Sequence, residues 1–252
     1  MDPRLKAFER LLNIMDDLRE KCPWDRKQTM DTLSSLTIEE TYELVDAIQS
    51  KNPKDIKEEI GDILLHMVFY AKIGSETGDF DITDALESIS DKLVRRHPHI
   101  YGDVQAEDAD VVKQNWERIK MAEGKKSVLQ GVPDSLPAII KAQRMQEKAA
   151  QVGFEWDEAE DVWDKVKEEL DEFYQAAQAD EHQEMTEEFG DVLFSLINYA
   201  RFKKIDCYYA LDLTNRKFKR RVEYIEQYAP KALTDMTLEE MDALWNEAKT
   251  AK

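Results

Sequence analysis

EETYELVDAIQ at 39–49 and EEIGDILLHMVFYA at 58–71 are the stretches that decide the fold. Both return downstream, as EELDEFYQAAQ at 168–178 and EEFGDVLFSLINYA at 187–200, each 129 residues later. Two acidic motifs recurring in one register mark a duplicated structural unit. KLVRR at 92–96 and KFKRR at 217–221 extend the correspondence at a slightly shorter offset, so a small gap lies between.

Outward from these motifs the apolar residues keep helical spacing. Leu5, Phe8, Leu12, Met15 and Leu18 mark a first helix, and Leu33, Leu36, Leu44 and Ile48 a second. Pro53 opens a third, with Ile56, Ile60, Ile63 and Met67 on one face. A fourth spans Ile82 to Arg96 and stops at Pro98, and Val112, Trp116 and Ile119 suggest a short fifth. The stretch AEGKKSVLQGVPDSLP at 122–137 gathers Gly, Pro and Ser and reads as a linker. Periodicity resumes at Ile139 and breaks at Gly153. It continues in helices around Val162 to Ala176, Phe189 to Ala200 and Leu211 to Ile225. Thr237 and Glu240 form a capping box for a last helix through Trp245. No segment alternates with period two. The expected fold is all-α, with one helical repeat over 1–121, the linker at 122–137 and a second repeat over 138–252.

The net charge of −19 argues against a nucleic-acid polymer as partner, because phosphate backbones require clustered Lys and Arg. A nucleotide stays open, since bound divalent cations invert the sign of an acidic pocket. Two distant cysteines, Cys22 and Cys207, imply free thiols in a reduced compartment. Neither a signal-peptide core nor an apolar run long enough for a membrane span is apparent. The expectation is a cytoplasmic protein with no membrane association.

Each repeat carries ExxE and then ExxD, with the second motif sixteen residues after the first ends: Glu40, Glu43, Glu59 and Asp62, then Glu169, Glu172, Glu188 and Asp191. Acids three apart share a helix face. Two such helices packed antiparallel bring four carboxylates to one point. Glu40 and Glu43 fall among Leu33, Leu36, Leu44 and Ala47 on the helical wheel, so they sit in an apolar stripe where unpaired charge is costly. A hard divalent cation removes both the burial cost and the mutual repulsion. Oxygen-only ligation selects Mg²⁺ or Mn²⁺ over zinc. The alternative is a solvated acidic face, which a single ExxE would suggest but a duplicated set among apolar residues does not. Gly61 and Gly190, mid-helix inside the second motif, imply a close backbone approach by a partner helix or a ligand, or else plain packing. His66 shares the face of Glu59 and Asp62 as a ligand or a donor to one, whereas the second repeat has Ser195 there. No ExxH occurs, which counts against a di-iron bundle.

Mg²⁺ with several carboxylates is apparatus for phosphate-anhydride chemistry. The chain lacks both GxxxxGK[ST] and GxGxxG, so a phosphate would be held by the metal and by nearby cations. Lys92 with Arg96, and Lys217 with Arg221, are candidates at matching places, unless they are ordinary solvated charges. Trp24, Trp156 and Trp245 are candidates for stacking on a base, unless they are core.

CPWDRKQT at 22–29, the two acidic pairs, RRHPHIYGD at 95–103, GVPDSLPA at 131–138, KAAQVGFEWD at 148–157 and NRKFKRR at 215–221 together resemble the MazG family over essentially the whole chain. The resemblance implies a four-helix-type bundle per repeat, assembly as a homodimer, and Mg²⁺-dependent cleavage of nucleoside triphosphates between the α and β phosphates. It implies metal binding by the eight acids above and nucleotide contacts from Lys217, Arg221 and Trp245, with Asn215 beside them. The first repeat offers Lys92 and Arg96 but no evident counterpart of Trp245 after its basic helix, unless Trp116 serves, so the second repeat is expected to be the main active site. Glu168 or Glu187, adjacent to the ligands, would orient or deprotonate the attacking water. A non-enzymatic helical interaction module and a strictly dUTP-specific pyrophosphatase are the rival readings.

Overall fold

A computed structural model describes residues 2–104, 111, 112, 115, 116, 119, 123 and 127–250. Regular structure among them is helical throughout, without strands. The chain divides into two compact units, Met1–Val112 and Lys113–Lys252.

In the first unit, α1 (Pro3–Lys21) leads through a 3-10 turn at Asp25–Lys27 to α2 (Met30–Ser50), α3 (Pro53–Thr77), α4 (Ile82–Arg96) and α5 (Pro98–Tyr101). The starts follow local chemistry. Asp2 and Asn52 cap helices that begin on Pro3 and Pro53, and Thr29 with Thr32 and Asp81 with Asp84 form reciprocal capping boxes. Lys51 ends α2 in the left-handed conformation at φ 55°, which reverses the chain in two residues and lays α3 along α2. Met15, Leu33, Val68 and Phe69 form the buried centre, ringed by Phe8, Leu12, Leu36 and Leu65. Arg19 clamps the end of this unit. It pairs with Glu76 at 2.5 Å and donates to the carbonyls of Asp25 and Gln28, tying α1, α3 and the intervening turn together.

The second unit repeats the plan. Its helices are α6 (Ala138–Ala150), α7 (Ala159–Ala179), α8 (His182–Phe202), α9 (Cys207–Tyr228) and α10 (Leu238–Ala248). Asp180, at φ 58°, makes the α7–α8 reversal in the register where Lys51 makes the first. Val162, Val166, Ala176 and Val192 are buried between this pair. Helix α6 packs on α8, and α9 packs on α6, α8 and α10. Thr237 and Glu240 cap α10 reciprocally, as their spacing predicts.

Three points depart from the sequence reading or extend it. The buried face of α3 carries His66, Val68, Phe69, Ala71 and Gly74, while Ile60 and Met67 stay largely exposed. The helix is apolar on two sides, and the period alone does not say which side meets the core. Pro98 opens the one-turn helix α5 as well as following the end of α4. Val112, Trp116 and Ile119 are helical, but neighbours within that short segment lie outside the described residues. Of the expected linker, 122 and 124–126 also lie outside them, and 127–137 runs through turns. No helix among the described residues is long and apolar enough to cross a membrane.

Leu33→Ala is expected to lower the unfolding free energy by about 2–5 kcal/mol, since it empties a closed site, whereas exposed Leu5→Ala should change it by no more than about 0.5 kcal/mol. Urea denaturation followed by circular dichroism checks both.

Candidate active site

The two-residue reversals bring the acidic motifs face to face. In the first unit one carboxylate oxygen from each of Glu40, Glu43 and Glu59 lies within 4.8 Å of the others, and in the second unit Glu169, Glu172 and Glu188 do the same. Asp62 and Asp191 stand one turn beyond Glu59 and Glu188 on the same helices, outside these tight triplets. The acids are less deeply set than an apolar stripe suggests. Glu169 is buried, Glu40, Glu59, Asp62 and Glu188 are half-buried, and Glu43, Glu172 and Asp191 are exposed. The clusters therefore sit at the rim of each hairpin, with one side open to solvent and ligand.

Electrostatics follow from that crowding. Burial, then Asp62, Glu43 and Glu39, raise the pKa of Glu40. Burial, then Glu43, Asp62 and Glu40, raise that of Glu59. Asp62 thus acts on the cluster although it lies outside the triplet. Glu172 is raised by burial and then by Glu169 and Glu188, with Lys165 opposing. Convergent carboxylates are a donor set for a hard cation.

Lys165 separates the two sites. Its ammonium contacts Glu169 at 2.6 Å and Glu168 at 2.8 Å, and these bonds hold its pKa well above the ordinary lysine range. The first repeat has Leu36 at the corresponding position. Sequence reasoning missed this lysine, although aligning the repeats exposes it: a charge replaces a core residue one turn before an acid. His66 is buried, and its Nδ1 lies 2.7 Å from Thr37 Oγ1, which also contacts the Tyr70 hydroxyl at 2.7 Å. That bridge between α2 and α3 accounts for His66 without metal ligation. Val166 and Ser195 stand in the matching places of the second repeat.

A cavity of about 640 Å³ opens beside the second cluster, and Lys165, Glu169 and Asp191 form part of its wall. Trp156 also lines it. Trp24 is exposed in the first unit. Trp245 packs edge-on against Phe218, and the Arg221 guanidinium lies 5.0 Å from its ring centre. Arg221 Nε is buried without a partner. Lys217 and Asn215 are exposed on the same helix, and none of these four residues lines the cavity. Lys92 and Arg96 are half-buried on α4, which packs against α3. Glu168 is exposed and paired with Lys165, and Glu187 accepts from Gln183 Nε2 at 3.1 Å. Gly61 and Gly190 do not mark a close approach within the chain, since a Cβ at either would meet nothing within 4 Å.

Comparison with known proteins agrees with this geometry. The profile of the MazG nucleotide pyrophosphohydrolase domain matches residues 28–101 and again 158–225, the two segments that carry the acids. A protein of Escherichia coli K12 named nucleoside triphosphate pyrophosphohydrolase is 42% identical, over 97% of this chain and 98% of its own length. The Thermotoga maritima protein named nucleoside triphosphate pyrophosphohydrolase/pyrophosphatase MazG is 43% identical, over 96% of this chain and 95% of its own. The Bacillus subtilis protein YabN is 47% identical over 96% of this chain, which spans 51% of that longer protein.

A carboxyl whose folded pKa is raised keeps its proton in the native state at a pH where the unfolded chain has lost it, so stability falls as pH rises from the ordinary glutamate range through the raised value. In chelator-containing buffer, Glu172→Gln should therefore raise the melting temperature at pH 7 and flatten its decline above the ordinary glutamate range. Calorimetry across pH checks this, and an unchanged or lowered melting temperature at pH 7 counts against repulsion at the cluster.

Proposed function

This chain belongs to the MazG nucleotide pyrophosphohydrolase family, and from that premise we propose that it hydrolyses nucleoside triphosphates to the monophosphate and pyrophosphate, using a divalent cation held by its carboxylate clusters. The observation that carries the reading is the convergence of three glutamates on each helical hairpin, twice in one register. Mg²⁺ fits the donor set, with Mn²⁺ as a substitute, because only oxygen ligands are offered. Glu40, Glu43, Glu59 and Asp62 would hold it in the first unit, and Glu169, Glu172, Glu188 and Asp191 in the second. The cation, when bound, supplies charge neutralisation at the phosphates and a water of lowered pKa.

The remaining steps belong to the chain's own side chains. Water adds to phosphorus, the α–β anhydride bond breaks, and pyrophosphate leaves with the bridging oxygen. Glu168 and Glu187 flank the ligands and are the candidates for orienting the water and taking its proton. Glu168 shares the Lys165 ammonium with Glu169, so its position is fixed relative to the cluster. Arg221, with an uncommitted buried Nε and its plane over Trp245, is suited to a phosphate or base contact, and Lys217 and Asn215 lie on the same helix. Lys92 and Arg96 are the counterparts in the first unit. The second unit is the main active site on this reading, because the cavity, Lys165 and the Arg221–Trp245 pair all belong to it. Broad acceptance of ribo- and deoxyribonucleotides and a role in nucleotide-pool housekeeping in the cytoplasm complete the proposal.

Assembly as a homodimer is supported by large apolar side chains left open on the hairpin helices. Ile60, Leu64 and Met67 on α3, and Phe189, Leu193 and Leu196 on α8, are each exposed by more than a third. Gly61 and Gly190 lie on the same helices with open space around them. Contiguous exposed apolar surface of this kind marks an interface.

Glu172→Ala and Asp191→Ala should each lower pyrophosphate release by roughly a thousandfold, the scale of several kcal/mol of transition-state stabilisation, while the far-ultraviolet spectrum stays helical. Glu43→Ala should leave most of the activity. Full turnover in the second-unit variants would sink the assignment. Sedimentation equilibrium should show a dimer that Leu64→Glu combined with Leu193→Glu converts to monomer.

A further inference from the structure

The two carboxylate clusters are built alike but balanced differently. In the first unit, none of the described residues gives a hydrogen bond or an ion pair to Glu40, Glu43, Glu59 or Asp62. The second unit seats an ammonium on its set. Lys165 Nζ lies 2.6 Å from Glu169, the buried member of the triplet, and 2.8 Å from Glu168 beside it. Lysine and acids stand three and four residues apart on α7, so they share one face. The matching position of the first unit holds Leu36, which packs against the core of Met15, Leu33, Val68 and Phe69 and brings no charge. Lys165 also has room to move. Its side chain is 36% exposed and forms part of the wall of the cavity of about 640 Å³. The second cluster therefore already carries a positive charge, on a carboxylate that a metal ion would use.

We propose that Lys165 is the resident counter-ion of the second cluster, which a divalent cation has to displace from Glu169, so that the first cluster binds free cation more tightly than the second. The inference rests on the cation reading of both clusters given above. Binding at the second cluster is then an exchange. The incoming ion gains the Glu169 carboxylate, and the ammonium gives it up, keeping Glu168 or turning into the open space beside it. An ammonium that stayed in place would repel the ion across a few ångströms. At the first cluster nothing has to leave. The whole repulsion among its acids is relieved by the ion that binds, whereas in the second unit part of that relief is supplied beforehand by the lysine. The two sites thus load in sequence as cation concentration rises, although their acids are identical and share one register. The difference traces to a single position, leucine in one repeat and lysine in the other.

The test uses the full chain without nucleotide and Mn²⁺ alone as the probe, with free ion counted by its electron paramagnetic resonance signal. The unsubstituted chain should show a tighter and a weaker class of bound ion. Glu40→Gln with Glu43→Gln should remove the tighter class and leave the weaker, which assigns the weaker to the second unit. On that background Lys165→Met should tighten the remaining class about tenfold, because a carboxylate is freed and a like charge is removed. Lys165→Gln reads the same effect should the methionine variant fail to fold. Lys165→Arg keeps the charge and should leave the class weak. A second-unit class as tight as the first, or one that neither neutral substitution tightens, overturns the counter-ion role. Tightening by Lys165→Arg equal to that by Lys165→Met overturns it too, since side-chain shape rather than charge would then decide. Absence of bound Mn²⁺ from both clusters of the unsubstituted chain is a separate failure, which removes the cation reading and this proposal with it.

Discussion

Like charges held close together need a reason, and here the reason is the helical hairpin. The pairing of α2 with α3 and of α7 with α8 is driven by apolar side chains such as Leu33, Phe69, Val162 and Val166. That burial forces three glutamates to within 4.8 Å at the rim of each pair. Burial and then repulsion raise the proton affinity of Glu40, Glu59 and Glu172, and the crowding is tolerated because the hydrophobic effect acts on the whole length of the hairpin while the repulsion acts at one point. The proposed cation would draw its affinity from this competition: the fold supplies the compression, and a ligand that relieves it is bound more tightly.

The two units have diverged around the same constraint. The first fills the space beside its acids with Leu36 and braces its hairpin through Thr37, His66 and Tyr70. The second replaces that leucine with Lys165, loses the histidine, and leaves a cavity. The lysine puts a charge next to the carboxylates, while buried Ser195 turns its hydroxyl to the Val192 carbonyl. One hairpin is braced by a histidine bridge and the other borders a cavity, the difference on which the proposal of a main site in the second unit rests.

Helix positions were legible because caps and apolar spacing are local: Pro53 after Asn52, Asp81 before Ile82 and Thr237 before Leu238 are readable without knowing what packs where. The acids were legible for the same reason, and because duplication repeated them. Tertiary choices were not. The α3 period fits two faces, and only the presence of α1 decides that Phe69 goes inward and Met67 outward. The hydrogen bond that buried Gln146 donates to the Phe194 carbonyl gave no signal at all, since a glutamine in RMQEKAA looks like any solvated helix residue until Phe194 is placed opposite it. Glycines 61 and 190 suggested a neighbour that the single chain does not contain.

The reversals at Lys51 and Asp180 have a consequence for how such a chain can change over time. Each links its helices by two residues, one of them in a left-handed conformation that a non-glycine side chain adopts reluctantly. One residue gained or lost there would turn everything downstream by about 100° around the helix axis and swing the second pair of acids off the first. The length difference between the repeats falls beyond the acids instead: α3 has 25 residues where α8 has 21. The spacing of the acids is kept as a rigid distance along the chain: one offset of 129 residues aligns both acidic motifs, while the basic segments beyond them, 92–96 and 217–221, have slipped to 125.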